Sequence, residues 1–150
     1  MRTRIIILAA GKGTRMQNAE VPKVLVPFEG KPMIMHLLDA VRLSDMDSKP
    51  VIVVGHDAEK VKSALGAGYE YIVQAEQLGT GHAVQCAEKL LAGKTDQVII
   101  LYGDHPLVKA STIINLRKLH EQQHCPLSMM TVRIDDFDDW RAPFADFSRI

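Results

Sequence analysis

At 150 residues the chain has the length of one domain, enough to bury about two-thirds of its unfolded surface. Its 18 basic and 18 acidic residues give a formal net charge of zero, which argues against general nucleic-acid binding, where a basic excess is the usual footprint. No apolar run approaches the roughly 20 residues that cross a bilayer, no signal peptide precedes the first strand, and Cys86 and Cys125 lack metal-ligand spacing; the expectation is a cytoplasmic protein with reduced thiols and no membrane partner.

The first predicted element is a strand over Arg4–Ala9, carried by Ile5-Ile6-Ile7-Leu8. Pro32 suits the first turn of a helix in which Ile34, Leu37, Leu38 and Val41 form an i, i+3, i+4, i+7 stripe. A strand over Val51–Val54, a short helix over Ala58–Leu65 ended by Gly66 and Gly68, and a strand over Glu70–Val73 follow. Ala83, Ala87, Leu90 and Leu91 make a second helical stripe, for which Thr80 is a reasonable N-cap. A strand over Gln97–Leu101, a partial stripe of Ile113, Leu116 and Leu119, and a strand over Leu127–Arg133 complete the pattern.

Most of these strands are continuous apolar runs, which predicts cover on both faces. Strands and helices in alternation with short connections imply an α/β fold: a three-layer, Rossmann-like, open and mostly parallel sheet. Ligands of such sheets bind beyond the carboxyl ends of the strands. Gly11–Arg15, Gln74–Thr80 and Gly103–Asp104 each fall just after a predicted strand, so three segments project onto one edge.

The first segment, Leu8-Ala9-Ala10-Gly11-Lys12-Gly13-Thr14-Arg15-Met16, is glycine-rich and basic, with backbone N–H groups and cations where a polyphosphate can sit. It is not a P-loop, because Ile6 stands where the first glycine should be and Gly13 follows Lys12. Nor is it the dinucleotide fingerprint, because Met16 occupies the third glycine position. Together with Pro22-Lys23-Val24-Leu25, the loop resembles the signature of the nucleoside-diphosphate-sugar pyrophosphorylases, and within them most resembles the uridyltransferase domain of the bacterial bifunctional N-acetylglucosamine-1-phosphate uridyltransferases. Gln74-Ala75-Glu76-Gln77-Leu78-Gly79-Thr80-Gly81-His82-Ala83 looks like that family's base-reading segment. Tyr102-Gly103-Asp104, followed by Pro106-Leu107, looks like its metal-binding strand end. The resemblance runs from Ile5 to about Val132, and three such motifs in order are specific where one alone would be weak.

The resemblance implies a nucleotide-diphospho-sugar transferase fold and a Mg²⁺-dependent transfer of UMP from UTP to N-acetylglucosamine 1-phosphate, with release of pyrophosphate. Leu8, Ala9, Ala10, Gly11, Lys12, Gly13 and Thr14 would hold the nucleotide, with Gln74, Gly79 and Thr80 at the base. Arg15 would grip the β- and γ-phosphates and Lys23 the α-phosphate and sugar phosphate. Gln74 offers one acceptor and two donors to the alternating edge of uracil. Asp104 is the expected Mg²⁺ ligand, and Tyr102, Gly103 and Ser148 the expected acceptor contacts. A homo-oligomer is compatible with this reading. A same-fold transferase with another base or acceptor, and a nucleotide-binding module without turnover, stay open beside it.

Departures from the family pattern lie toward the C-terminus. Phe147-Ser148-Arg149-Ile150 stands where the family has Tyr-Gly-Arg-Ile, so Ser148 adds a Cβ and a hydroxyl where the sugar approaches. Trp140–Asp146 is longer and bulkier than the family norm. Resembling domains continue with strands that supply acceptor contacts and an Asn metal ligand, so the chain reads as the N-terminal part of a nucleotidyltransferase domain, truncated at its C-terminus. His105 reads as a surface or packing residue, His120, His124 and Cys125 as solvated side chains without a fourth ligand, and Asp135-Asp136-Phe137-Asp138-Asp139 as a solvated acidic loop.

Overall fold

The isoleucine-rich run near the N-terminus lies at the centre of the molecule, in a computed structural model that describes residues 1–11, 21–133 and 135. In chain order the strands are β1 (Thr3–Ala9), β2 (Pro27–Phe28), β3 (Lys31–Pro32), β4 (Val51–Val54), β5 (Glu70–Val73) and β6 (Gln97–Tyr102). The helices are α1 (Met33–Ser44), α2 (Ala58–Leu65), α3 (Thr80–Cys86), α4 (Glu88–Leu91) and α5 (Ala110–Gln123), and a 3₁₀ turn covers Lys23–Leu25. Strands β5, β4, β1 and β6 form one parallel sheet in that spatial order. β2 and β3 form a small antiparallel hairpin.

The sheet is enclosed by two separate cores. On one face Ile5, Ile7, Ile52, Val54, Ile99 and Leu101 meet the stripe Ile34, Leu37, Leu38, Val41 of α1, Val61 of α2 and Ile113 of α5. On the other, Ile6, Leu8, Val51 and Val53 meet Ala83, Ala87 and Leu91 from α3 and α4. Alternate residues of β1 and β4 thus enter different cores, which is why these strands read as unbroken apolar runs. The result is the three-layer, mostly parallel α/β architecture that the alternation of elements implies.

Chain order reverses beside β1. The chain steps from β1 to β4 to β5, then returns to place β6 on the opposite side of β1. Loops leaving β1 and β6 therefore diverge and open a crevice at their carboxyl ends, the switch point at which open α/β sheets take ligands.

Several local expectations are corrected. Residues Leu127–Arg133 form no strand: β6 is the edge of the described sheet, no backbone among the described residues pairs with this segment, and Leu127, Met129 and Val132 stay 77%, 78% and 81% exposed. Cover on both faces fails for β6, where Ile99 and Leu101 point inward while Val98, Ile100 and Tyr102 are each about two-fifths exposed. The second helical stripe is split between α3 and α4, which meet at Ala87. Thr80 is not an N-cap: it is the first residue of α3, and Gly79 holds the capping position with no side-chain hydrogen bond. Gly79 has φ 102° and ψ 178°, a conformation that only glycine adopts readily, so the backbone turn rather than a hydroxyl starts this helix.

Among the described residues no helix is long and apolar enough to cross a membrane. Lys12, Gly13, Thr14, Arg15 and Ser148 lie outside the described residues, as do Asp136–Asp139 of the acidic run and Trp140–Asp146.

Candidate active site

The loop leaving β1 is held by the loops of three other strands. Gly103, just past β6, donates its backbone N–H to the Leu8 carbonyl at 2.9 Å. Gln77, past β5, donates from Nε2 to the Ala10 carbonyl at 2.7 Å. Gly55, past β4, packs so closely that a Cβ there would stand 2.6 Å from that same Ala10 oxygen. These contacts explain why an apolar strand can end in Ala9-Ala10-Gly11 without losing a defined path: its carbonyls are taken by groups from neighbouring loops.

The 3₁₀ turn is fixed by packing. Val24 is buried, and a Cβ on Gly103 would lie 3.0 Å from Val24 Cγ1 and 3.1 Å from the Leu8 oxygen. Backbone bonds from Leu25 N–H to Pro22 O and from Val26 N–H to Lys23 O close the turn. Seated against Gly103, the turn brings Lys23 beside the next residue, and Nζ donates to Asp104 Oδ2 at 2.5 Å. Burial pushes the Asp104 carboxyl upward, but the hydrogen bond and charge of Lys23, helped by His105, outweigh it and hold the group below the usual carboxylate range.

Between these loops lies a cavity of about 320 Å³. Its walls bring together Leu8, Ala9, Ala10 and Gly11 from β1, Gln74, Gly79 and Thr80 from beyond β5, and Tyr102 and Asp104 from the end of β6, with Lys23 at the mouth of the turn. Ten residues singled out from sequence thus converge on one space. Gly103 does not line it but backs it, accommodating Val24. Val24, Gln77 and Ala83 also line the cavity and were not assigned from sequence; the Gln77–Ala10 contact joins residues 67 apart, which no local pattern reveals.

Gln74 is buried, and its Nε2 lies 3.1 Å from the Gly79 carbonyl and 3.1 Å from His82 Nδ1. Both amide hydrogens are therefore engaged inside the chain, unlike the two-way pairing with a base that its chemistry would allow. His105 is exposed and its ring leans over Tyr102, centroids 5.2 Å apart, with Nε2 3.9 Å from Asp104 Oδ1. His120 and Cys125 instead meet Ser128 on the far side of α5, at 3.0 and 3.2 Å.

Asp104 fits a divalent cation of the hard-oxygen kind only in company. Oδ2 is occupied by Lys23, and no group of three His, Cys, Asp or Glu among the described residues could hold a metal. A single carboxylate facing a cavity suits Mg²⁺, which keeps waters and takes phosphate oxygens beside one or two carboxylates.

The MobA-like NTP transferase domain model matches residues 5–136. The chain belongs to that family. Over 131 residues it is 47% identical to the bifunctional protein GlmU of Enterococcus faecalis, a match that covers 87% of this chain and 28% of that relative. A nucleotidyl transferase from Methanothermobacter thermautotrophicus superposes with a TM-score of 0.65 at 25% identity, over 78% of this chain and 57% of that one. Rv0371c of Mycobacterium tuberculosis, solved in complex with manganese, superposes with a TM-score of 0.67 at 20% identity, over 81% and 61%. Both solved structures share the fold of this chain, and the chain spans under a third of the length of the GlmU relative that it matches.

Proposed function

We propose that the cavity binds UTP and that the chain carries the nucleotide half of a metal-dependent sugar-1-phosphate uridylyltransferase, with N-acetylglucosamine 1-phosphate as acceptor. The observation that carries this reading is the convergence of the β1 loop, Gln74 and the Lys23–Asp104 pair on one space at a switch point. The identity to GlmU and the uridyltransferase-like motifs support the choice of base and acceptor.

In this reading the base lies against Gln74, Gly79 and Thr80, and the triphosphate runs along Ala10-Gly11 toward Lys23. The glycine-rich loop through Lys12, Gly13 and Thr14, with Arg15, would hold the β- and γ-phosphates, as the family resemblance implies. A sugar-phosphate oxygen attacks the α-phosphorus in line, the bond to the β-phosphate bridging oxygen breaks, and that oxygen leaves with pyrophosphate. Lys23 lowers the repulsion between the two anions and stabilises charge as it moves onto the leaving group. Mg²⁺ bound at Asp104 would supply charge neutralisation between triphosphate and acceptor phosphate. Tyr102, with Ser148 farther along the chain, would contact the acceptor, and Gly103 would serve by seating the Lys23 turn.

Incubation with each of the four NTPs, Mg²⁺ and a panel of sugar 1-phosphates, followed by pyrophosphate detection, tests the proposal. UTP with N-acetylglucosamine 1-phosphate is the pair expected to turn over. Release with no pair would refute catalysis by this chain, and tight UTP binding without release would favour a nucleotide-binding module.

A further inference from the structure

The Gln74 carboxamide has a single allowed orientation. The Gly79 carbonyl can only accept, so the amide atom 3.1 Å from it must be nitrogen. That nitrogen's other hydrogen points at His82 Nδ1, also at 3.1 Å, so Nδ1 must be the bare, accepting nitrogen of the ring. The ring proton then sits on Nε2, which lies 3.9 Å from Cys86 Sγ, a weak acceptor in the next turn of α3. No side-chain nitrogen or oxygen among the described residues is both sealed from solvent and unpartnered. Oε1 of Gln74 takes no partner among the described residues, so it is the amide atom left open to the cavity.

We propose that His82 is a positioning residue: with the Gly79 carbonyl it locks the Gln74 carboxamide so that Oε1 alone faces the base, selecting a base that presents an N–H there. Uracil presents one at N3, whereas N3 of cytosine carries a lone pair that would face Oε1. Mispairing two acceptors in a buried site costs more than a missing contact, so the lock discriminates through repulsion as well as attraction. This inference deepens the nucleotide-binding reading above and rests on it for the identity of the ligand; the lock itself does not.

Two measurements on the full chain separate these levels. In the free protein, NMR of the Gln74 side-chain NH₂ should show both protons slowed in exchange. His82→Leu should release one of them and His82→Asn should restore it, because Asn Oδ1 can stand where Nδ1 stands. Calorimetry with UTP and CTP in Mg²⁺ should show a UTP preference that His82→Leu cuts by about tenfold or more and His82→Asn keeps within about threefold. Gln74→Glu, which sets an oxygen against the Gly79 carbonyl, should lose the preference even though it still offers an acceptor; this arm holds if His82→Leu fails to fold. Equal protection in wild type and His82→Leu, an unchanged ratio in folded His82→Leu, or a full UTP preference in Gln74→Glu would each overturn the lock. A protected amide in a protein that binds neither nucleotide would leave the lock standing and defeat the ligand reading instead.

Discussion

At the scale of residues, the pairing of Lys23 with Asp104 is the most consequential contact. Asp104 keeps its proton off below the ordinary carboxylate range because the neighbouring ammonium more than offsets burial. A carboxyl depressed in the folded state contributes stability above its unfolded value, about pH 4, and loses it as pH falls through the folded value. The stability difference between wild type and Asp104→Asn, from urea unfolding across pH, should be flat at neutral pH and shrink in acid. A difference that grew toward low pH would contradict the assignment. In turnover, Asp104→Ala should reduce pyrophosphate release by about a hundredfold or more, since a metal site supplies several kcal/mol of charge stabilisation, with circular dichroism unchanged. Lys23→Ala should lower kcat more than it raises KM, because its charge acts chiefly as the transition state forms. Gln74, Lys23 and Asp104 were legible as motif residues in sequence. The bond between Lys23 and Asp104 was not, because it joins residues 81 apart that the topology alone brings together.

At the scale of elements, the position of Lys23 depends on a single close packing. A methyl group on Gly103 would press on Val24 Cγ1 at 3.0 Å and on the Leu8 oxygen at 3.1 Å, so Gly103→Ala should displace the 3₁₀ turn. The expected cost is about 1–3 kcal/mol of stability, with loss of activity, and Val24→Ala in the same chain should recover part of the activity. Urea unfolding and pyrophosphate release read the two effects separately. An active, fully stable Gly103→Ala would show that the turn is positioned by something else. β4 and β5 form where the short apolar runs place them, and β1 and β6 extend one residue beyond expectation, because each run is bounded by turn residues. The hairpin of β2 and β3 is not legible in the sequence, since two-residue strands carry no periodic signal, and its Glu29-Gly30 turn shows in the positive φ of both residues.

For the whole molecule, the sheet is unevenly covered. Ile99 points into the core between α1 and α5, whereas its neighbour Ile100 lies on the open face of β6. Ile99→Ala should cost about 2–5 kcal/mol and Ile100→Lys no more than about 0.5 kcal/mol in denaturant unfolding. Equal costs would mean that something covers the open face. The α/β class was legible because alternation of strand and helix is a long-range pattern that survives local error. The fate of Leu127–Arg133 was not, because strand propensity says what a segment can do and only a neighbouring backbone decides whether it does so. The same logic makes the cavity a property of the entire sheet: reversing the strand order beside β1 is what lets four loops meet. A crystal structure of the protein with UTP and Mg²⁺ tests that convergence most directly. Uracil should lie against Gln74 with the α-phosphate between Lys23 and Asp104; a nucleotide seated on any other surface, leaving that pair untouched, would contradict the account.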